Sequence, residues 1–327
     1  MVIATNPVPE TWAATSPADW PPHLLCAADL PCTALTATLD LAAAMKRDSS
    51  AWRGALGGQT LACFFDPPTT GMTVATGTAA DWLGMLPIVL PRDELGLDDD
   101  DTTEDMARAL STTAAALFAH TVPHRVLRQI AAAATVPLVN GKSDQHRPCQ
   151  AVADLLTLRE RFGALEGVAL AFVGDAHNET VHSLVEAGAL AGMDVRICCP
   201  PDCRPDRLVE LGARMIADMH DARLTVTDDV ADGVRGANAV YTHAWSVTDG
   251  DGRRRLRSYQ VGLDVMRLAD PHAVFMHCLP AHRGMEVHAR ILDGRRSVVW
   301  EQAANRLPAE QALLYSLITA QQARDAR

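Results

Sequence analysis

A chain of 327 residues with 48% hydrophobic and 21% charged side chains has the composition of a folded globular protein, long enough for two domains. Its formal net charge of −11 argues against a nucleic-acid surface, which needs a basic face. No apolar run approaches the ~20 residues that span a bilayer, and no basic segment followed by an apolar core opens the chain, so neither a membrane span nor a signal peptide is expected.

Residues 1–22 are rich in Pro, Thr and Ala, carry no period, and are expected to form an N-terminal extension suited to an interface arm. From His23 the pattern becomes regular. Leu35 to Met45 has helical spacing, and Thr60 to Phe65 is a short apolar strand stopped by Asp66-Pro67-Pro68. Thr69 opens a helix through Leu83, and Met85 to Leu90 is a second strand. The acidic tract Asp98 to Asp101 is expected to be a solvated loop. Met106 to Ser111 is helical, Ala115 to Ala119 a strand, Val126 to Ala133 a helix and Thr135 to Val139 a strand.

Cys149 to Phe162 is a long amphipathic helix placed to join two domains. The alternation then restarts: strand Val168–Val173, the turn Gly174-Asp175, helix Thr180–Ala191, strand Asp194–Cys198 and helix Pro205–Leu211. Strands Ala239–Tyr241 and Ala273–Met276 and a terminal helix Gln302–Ala323 complete it. Such alternation predicts an α/β protein: two doubly wound parallel-sheet domains joined by long helices.

The eight cysteines, at 26, 32, 63, 149, 198, 199, 203 and 278, form no paired framework and read as reduced thiols of a cytoplasmic chain. Cys198, Cys199 and Cys203 lie in a Pro-rich turn without clustered His, so no metal site is expected.

The most specific stretch is Phe275-Met276-His277-Cys278-Leu279-Pro280-Ala281-His282-Arg283-Gly284-Met285-Glu286-Val287. An apolar strand ends in a polar, sulfur-bearing tetrapeptide, and in an open α/β sheet the carboxyl end of a strand is where ligands bind. Pro280 fixes the backbone after Cys278 and Leu279.

This stretch resembles the His-Cys-Leu-Pro signature of ornithine carbamoyltransferases, in which the cysteine and the leucine carbonyl meet the ornithine amine. Further segments carry the resemblance over nearly everything after residue 22: Asn140-Gly141, Pro148-Cys149-Gln150-Ala151, Ala153 to Thr157, Val173 to Asn178, Leu190 to Arg196, Tyr259-Gln260-Val261, Trp300 to Ala303 and Asn305-Arg306-Leu307. The resemblance implies a donor domain over 23–153, completed by a C-terminal helix at 305–327, and an acceptor domain over 154–304. It implies a homotrimer with small-molecule substrates and no metal or organic cofactor.

Departures from the family pattern cluster at its chemistry. Where the family holds carbamoyl phosphate with Ser-Thr-Arg-Thr-Arg at a helix start, this chain has Thr69-Thr70-Gly71-Met72-Thr73. A third family arginine is His120 here, and the histidine before Pro-Cys-Gln is Arg147. On the acceptor side, Glu179 stands where the family uses an asparagine for the ornithine carboxylate, beside a retained Asn178. His243 replaces the aspartate for the α-amino group, and Val247-Thr248 replaces Ser-Met.

The resemblance therefore assigns His277, Cys278, Leu279 and Arg283 to the reaction. It assigns Thr69, Thr70, Gly71, Met72, Thr73, His120, Arg147 and Gln150 to the donor, and Asn178, Glu179, His243, Val247 and Thr248 to the acceptor. Plainer roles stand beside these: Asp175 and Asn178 as helix caps, Arg147 as half of a surface ion pair, and His277 as a structural residue. Trp245 and Trp300 are expected in the core. The implied function is transfer of a carbamoyl or related acyl group to an amine with altered donor and acceptor. The alternative is a non-catalytic family member acting as a structural, ligand-binding or regulatory subunit.

Overall fold

The protein is described by a computed structural model, which covers residue 16 and residues 19–65, 70–91, 100–246 and 250–327. Most of the expected extension, Thr69, Asp98, Asp99, Val247 and Thr248 lie outside these residues. The chain divides into two compact units, one formed by the residues up to Val152 with Arg306–Arg327, the other by Ala153–Asn305.

In the first unit the order is α1 (Cys32–Arg47), β1 (Thr60–Phe65), α2 (Thr70–Trp82), β2 (Leu86–Leu90), α3 (Asp100–Ser111), β3 (Ala116–His120), α4 (His124–Ala133) and β4 (Leu138–Lys142). The sheet order is β2-β1-β3-β4, all parallel, so the chain reverses its winding between β1 and β3. There the strand ends Phe65 and His120 stand in register. Phe64, Leu117, Leu127 and Ile130 fill the core beside that sheet. Leu24 pairs alongside β4, its amide bonded to the Leu138 carbonyl and its carbonyl to the Asn140 amide.

Two expectations shift here. The strand expected over Thr135–Val139 begins at Leu138, because Pro137 has no amide to give the ladder and only its carbonyl joins, accepting from Leu117. The last acidic residues of the expected loop, Asp100 and Asp101, instead start α3.

Helix α5 (Pro148–Phe162) contains the division between the units. The second unit then runs β5 (Ala169–Val173), α6 (Glu179–Leu190), β6 (Asp194–Cys198), α7 (Arg207–Met219), β7 (Arg223–Thr227), α8 (Val230–Val234), β8 (Ala239–Thr242), α9 (Gly250–Leu256), α10 (Leu263–Leu268), β9 (Val274–His277), α11 (Ala289–Leu292) and α12 (Val299–Ala304). Its sheet is β7-β6-β5-β8-β9, again all parallel, with the reversal between β5 and β8. Phe275, Val240, Ala171 and Val173 are among its buried residues.

The terminal helix expected from Gln302 is two helices. Asn305 interrupts it, its side-chain amide donating to Thr157 Oγ1 and Glu160 Oε2, both at 2.9 Å. The long helix α13 (Arg306–Asp325) then belongs to the first unit, where it packs on α1 and α2. Among the described residues no helix is long and apolar enough to cross a membrane, and no group of three His, Cys, Asp or Glu is placed to hold a metal ion. All eight cysteines are free thiols.

Candidate active site

In the second unit, polar, titratable and thiol side chains gather at the strand ends near the reversal. Thr242 ends β8 and donates its hydroxyl to the Val173 carbonyl at 2.6 Å, tying β8 to β5. Gly174 follows β5 at φ 130°, a conformation that suits glycine. A Cβ there would lie 3.1 Å from Trp245 Nε1 and 3.3 Å from Thr242 Oγ1. Asp175 accepts from the His177 amide at 3.2 Å and the Ser246 amide at 3.1 Å, fastening the segment after β8. The Trp245 indole N–H is enclosed and has no protein acceptor among the described residues.

Asn178 caps α6: its side-chain oxygen accepts from the amides of Thr180 and Val181 at 3.0 and 3.1 Å, and its amide donates to the Asp175 carbonyl at 2.6 Å. The capping role is therefore present for Asn178. Glu179 is the buried first residue of α6, where a carboxylate suits the helix dipole. From the same first turn, Thr180 Oγ1 lies 3.8 Å from the buried Cys278 thiol.

His277 is wholly enclosed. Its backbone amide donates to Gln302 Oε1 at 2.9 Å, and its ring Nδ1 accepts from the Leu279 amide at 2.9 Å. Accepting at Nδ1 assigns the neutral ring's proton to Nε2, which lies 3.3 Å from Glu286 Oε1. Burial pushes the Glu286 carboxyl up, but the His277 ring and the His282 amide outweigh it and hold it below the usual value. Leu279 is itself in a left-handed conformation, φ 45°, ahead of a cis bond to Pro280. The His277 bond holds that residue, and with it the carbonyl that follows the thiol.

Gln302 continues the network. Its amide donates to Asp154 Oδ1 at 2.7 Å, and the Tyr241 hydroxyl donates to Asp154 Oδ2 at 3.0 Å. His243 stacks on His277 with centroids 6.2 Å apart and planes 5° from parallel, and its Nδ1 donates to the Ala244 carbonyl at 2.9 Å. Arg283 stands apart: its exposed guanidinium is held in a paired bridge to Asp293 at 3.0 and 2.7 Å.

In the first unit, Gly71 is exposed and Thr73 half-buried on α2. His120 is buried at the end of β3, its Nδ1 2.8 Å from Thr121 Oγ1. Gln150 accepts from Arg306 Nε at 2.7 Å. Arg147 is buried, not half of a surface pair. Its charge acts with that of Arg306 on the carboxyl of Glu310, which is enclosed and accepts the Thr76 hydroxyl at 2.8 Å. Burial pushes Glu310 up to about 7 against the pull of Thr76, Arg306 and Arg147.

Thus His243, His277, Cys278, Asn178 and Glu179 gather at one strand-end region, and in the first unit Arg147 and Gln150 join Arg306 and Glu310 of α13. Sequence reasoning missed four residues of these networks: Glu286, Glu310, Arg306 and the Trp245 donor. Glu286 carried a signal, a lone acid between Met285 and Val287 inside the motif. Glu310 carried one too, an acid among Pro308, Ala309, Ala312 and Leu313 on a helix. Trp300 corrects an expectation: it is 65% exposed, because α12 turns Val299 and Gln302 inward instead. Trp245 is half-buried.

The aspartate/ornithine carbamoyltransferase carbamoyl-P binding domain matches residues 22–160, and the Asp/Orn binding domain of the same family matches residues 166–317. The chain belongs to the aspartate/ornithine carbamoyltransferase family. It is 40% identical over 304 residues to the ornithine carbamoyltransferase of a Parafrankia species, covering 90% of this chain and 96% of that protein. It is 40% identical over 268 residues to that of Methanothermobacter thermautotrophicus, covering 80% and 88%. Among solved structures, ornithine carbamoyltransferase from Pyrococcus furiosus superposes with a TM-score of 0.85 at 36% identity, over 89% of this chain and 95% of that one. The enzyme from Gloeobacter violaceus gives 0.84 at 34%, over 91% and 99%. As a family member, this chain carries the His-Cys-Leu-Pro corner with its thiol beside a helix N-terminus.

Proposed function

We propose that this family member is a carbamoyltransferase-type enzyme that transfers a carbamoyl or related acyl group to an amine, with a donor and an acceptor other than carbamoyl phosphate and ornithine. The observation that carries the proposal is the side-chain set at positions 71, 73 and 120, where glycine, threonine and a buried histidine stand in place of the family's arginines. A phosphate with close to two negative charges is matched by guanidinium forks, each contributing roughly 1.5–3 kcal/mol. Losing three costs roughly 4–9 kcal/mol, about three to six decades of affinity. Arg147 and Arg306 supply positive charge nearby in the first unit, but they share it with Glu310.

On the acceptor side, Glu179 would repel the carboxylate of ornithine, and His243 offers no anion to its ammonium. An acceptor without an α-carboxylate, or one presenting an amine toward Glu179, fits better. Cys278 and the Leu279 carbonyl are assigned to the attacking amine. Attack on the carbonyl carbon would form a tetrahedral oxyanion that needs fixed donors. Thr70 to Thr73 and Gln150 would face the donor. A homotrimer and a cytoplasmic location are part of this reading. The high identity to named ornithine carbamoyltransferases does not weigh against it, because a handful of side chains sets substrate choice on a shared fold.

The test is turnover with carbamoyl phosphate against a panel of amines with and without α-carboxylates, alongside Gly71→Arg/Thr73→Arg/His120→Arg. The proposal expects little citrulline from ornithine, product from another amine, and tighter carbamoyl phosphate binding in the triple variant. No turnover with any donor and amine would favour a non-catalytic subunit, the reading that the missing arginines also support.

A further inference from the structure

Helix α7 presents its large apolar side chains to solvent. Only Ala213 and Ala217 are fully buried from it, whereas Leu208, Leu211, Met215 and Met219 are 79, 49, 68 and 70% exposed. These four follow one another at i, i+3, i+7 and i+11, so they form one continuous stripe along the helix. Exposed apolar residues scattered singly need no explanation, but an aligned row of four does.

Beside that stripe, one residue earlier at every step, runs a charged ridge of Arg207, Glu210, Arg214 and Asp218, whose signs alternate plus, minus, plus, minus. Within the chain Arg214 and Glu210 already bridge at 2.8 Å. The alternation is complementary to itself only when read in reverse. Two such helices running parallel would set Arg207 against Arg207 and Asp218 against Asp218. Two running antiparallel set Arg207 against the other copy's Asp218, and Glu210 against its Arg214, with every contact repeated by the two-fold axis. The same register lays Met215 of each copy between Leu208 and Leu211 of the other stripe, where a long, adaptable thioether packs readily.

We propose that α7 is a two-fold self-association surface, on which a second copy of this chain seats its own α7 antiparallel. The inference is independent of the chain's catalytic reading. The surface doubles whatever assembly the chain otherwise forms, and it does so in a concentration-dependent manner because one helix face buries a small area.

Sedimentation velocity of the full chain over a hundredfold concentration range tests this. The expected result is a reversible doubling of mass that Met215→Lys abolishes. Arg207→Asp or Asp218→Arg alone replaces two attractions with two repulsions and weakens the step by several-fold to about tenfold. Arg207→Asp combined with Asp218→Arg restores complementarity and recovers the step. All three positions, Arg207, Met215 and Asp218, are exposed, and circular dichroism checks that each variant is folded. Absence of any doubling, doubling that Met215→Lys leaves unchanged, or a double swap as weak as the single ones would overturn the proposal.

Discussion

The carboxylate of Glu286 lies 3.3 Å from Nε2 of His277, and both side chains are completely enclosed. With Leu279 donating to the other ring nitrogen, the histidine is fixed at both ends. It therefore positions the segment after the thiol, and its role is to hold Leu279 in a left-handed backbone conformation that a non-glycine residue otherwise resists. Exchanging a buried charged acceptor for a neutral amide, which also brings an N–H donor into the enclosed site, costs about 1–3 kcal/mol. Glu286→Gln should lower unfolding free energy by that amount in denaturant titrations near pH 7. The Glu286 carboxyl titrates below its usual 4.5, so its stabilisation is present above that pH and is lost as pH falls through the lowered folded value. The gap between the two proteins should be full above pH 5 and close on acidification. A gap that does not depend on pH would show that the carboxylate charge is irrelevant.

Glu310 behaves in the opposite sense. Its proton is held more tightly in the folded chain, with the carboxyl pushed up to about 7 from 4.5, chiefly by burial. It therefore favours folding at acid pH, and that contribution is lost as pH rises from 4.5 to about 7. Ionising it costs up to about 3 kcal/mol at pH 8. Glu310→Gln keeps an acceptor for Thr76 and removes that cost. The variant should melt higher than the parent at pH 8 and match it at pH 5. Equal melting at both pH values would mean that Arg147 and Arg306 already offset the burial.

Gly174→Ala should disturb the switch between β5 and β8. The added methyl meets Trp245 Nε1 at 3.1 Å in a left-handed region, and the indole must give way. We expect a loss of about 1–3 kcal/mol and a shift in tryptophan emission as Trp245 moves. Unchanged emission with unchanged stability would show that the turn has room to relax.

Most of the sheet was legible because its strands are buried on both faces and read as short apolar runs between breakers; Thr60–Phe65 and Asp194–Cys198 stand as expected. The edge strand Arg223–Thr227 was not, since alternating Arg, Thr and Thr with Leu224 and Val226 lacks an apolar run. Alternation alone would have found it. Helix α7 runs on to Met219, past the expected end at Leu211. At the site, the motif residues were visible, whereas Glu286 and Glu310 acquire their roles from partners 9 and 234 positions away in sequence, a relationship no local pattern carries. Arg283 has the opposite history: conspicuous in the motif, it is engaged by Asp293 at the surface.

The central claim is that the donor has changed, and calorimetric titration of carbamoyl phosphate into the unmodified chain tests it most directly. With three guanidinium partners absent, binding should be too weak to saturate below millimolar ligand, about three decades or more short of a site that has them. Saturable micromolar binding, followed by citrulline release when ornithine is added, would contradict it.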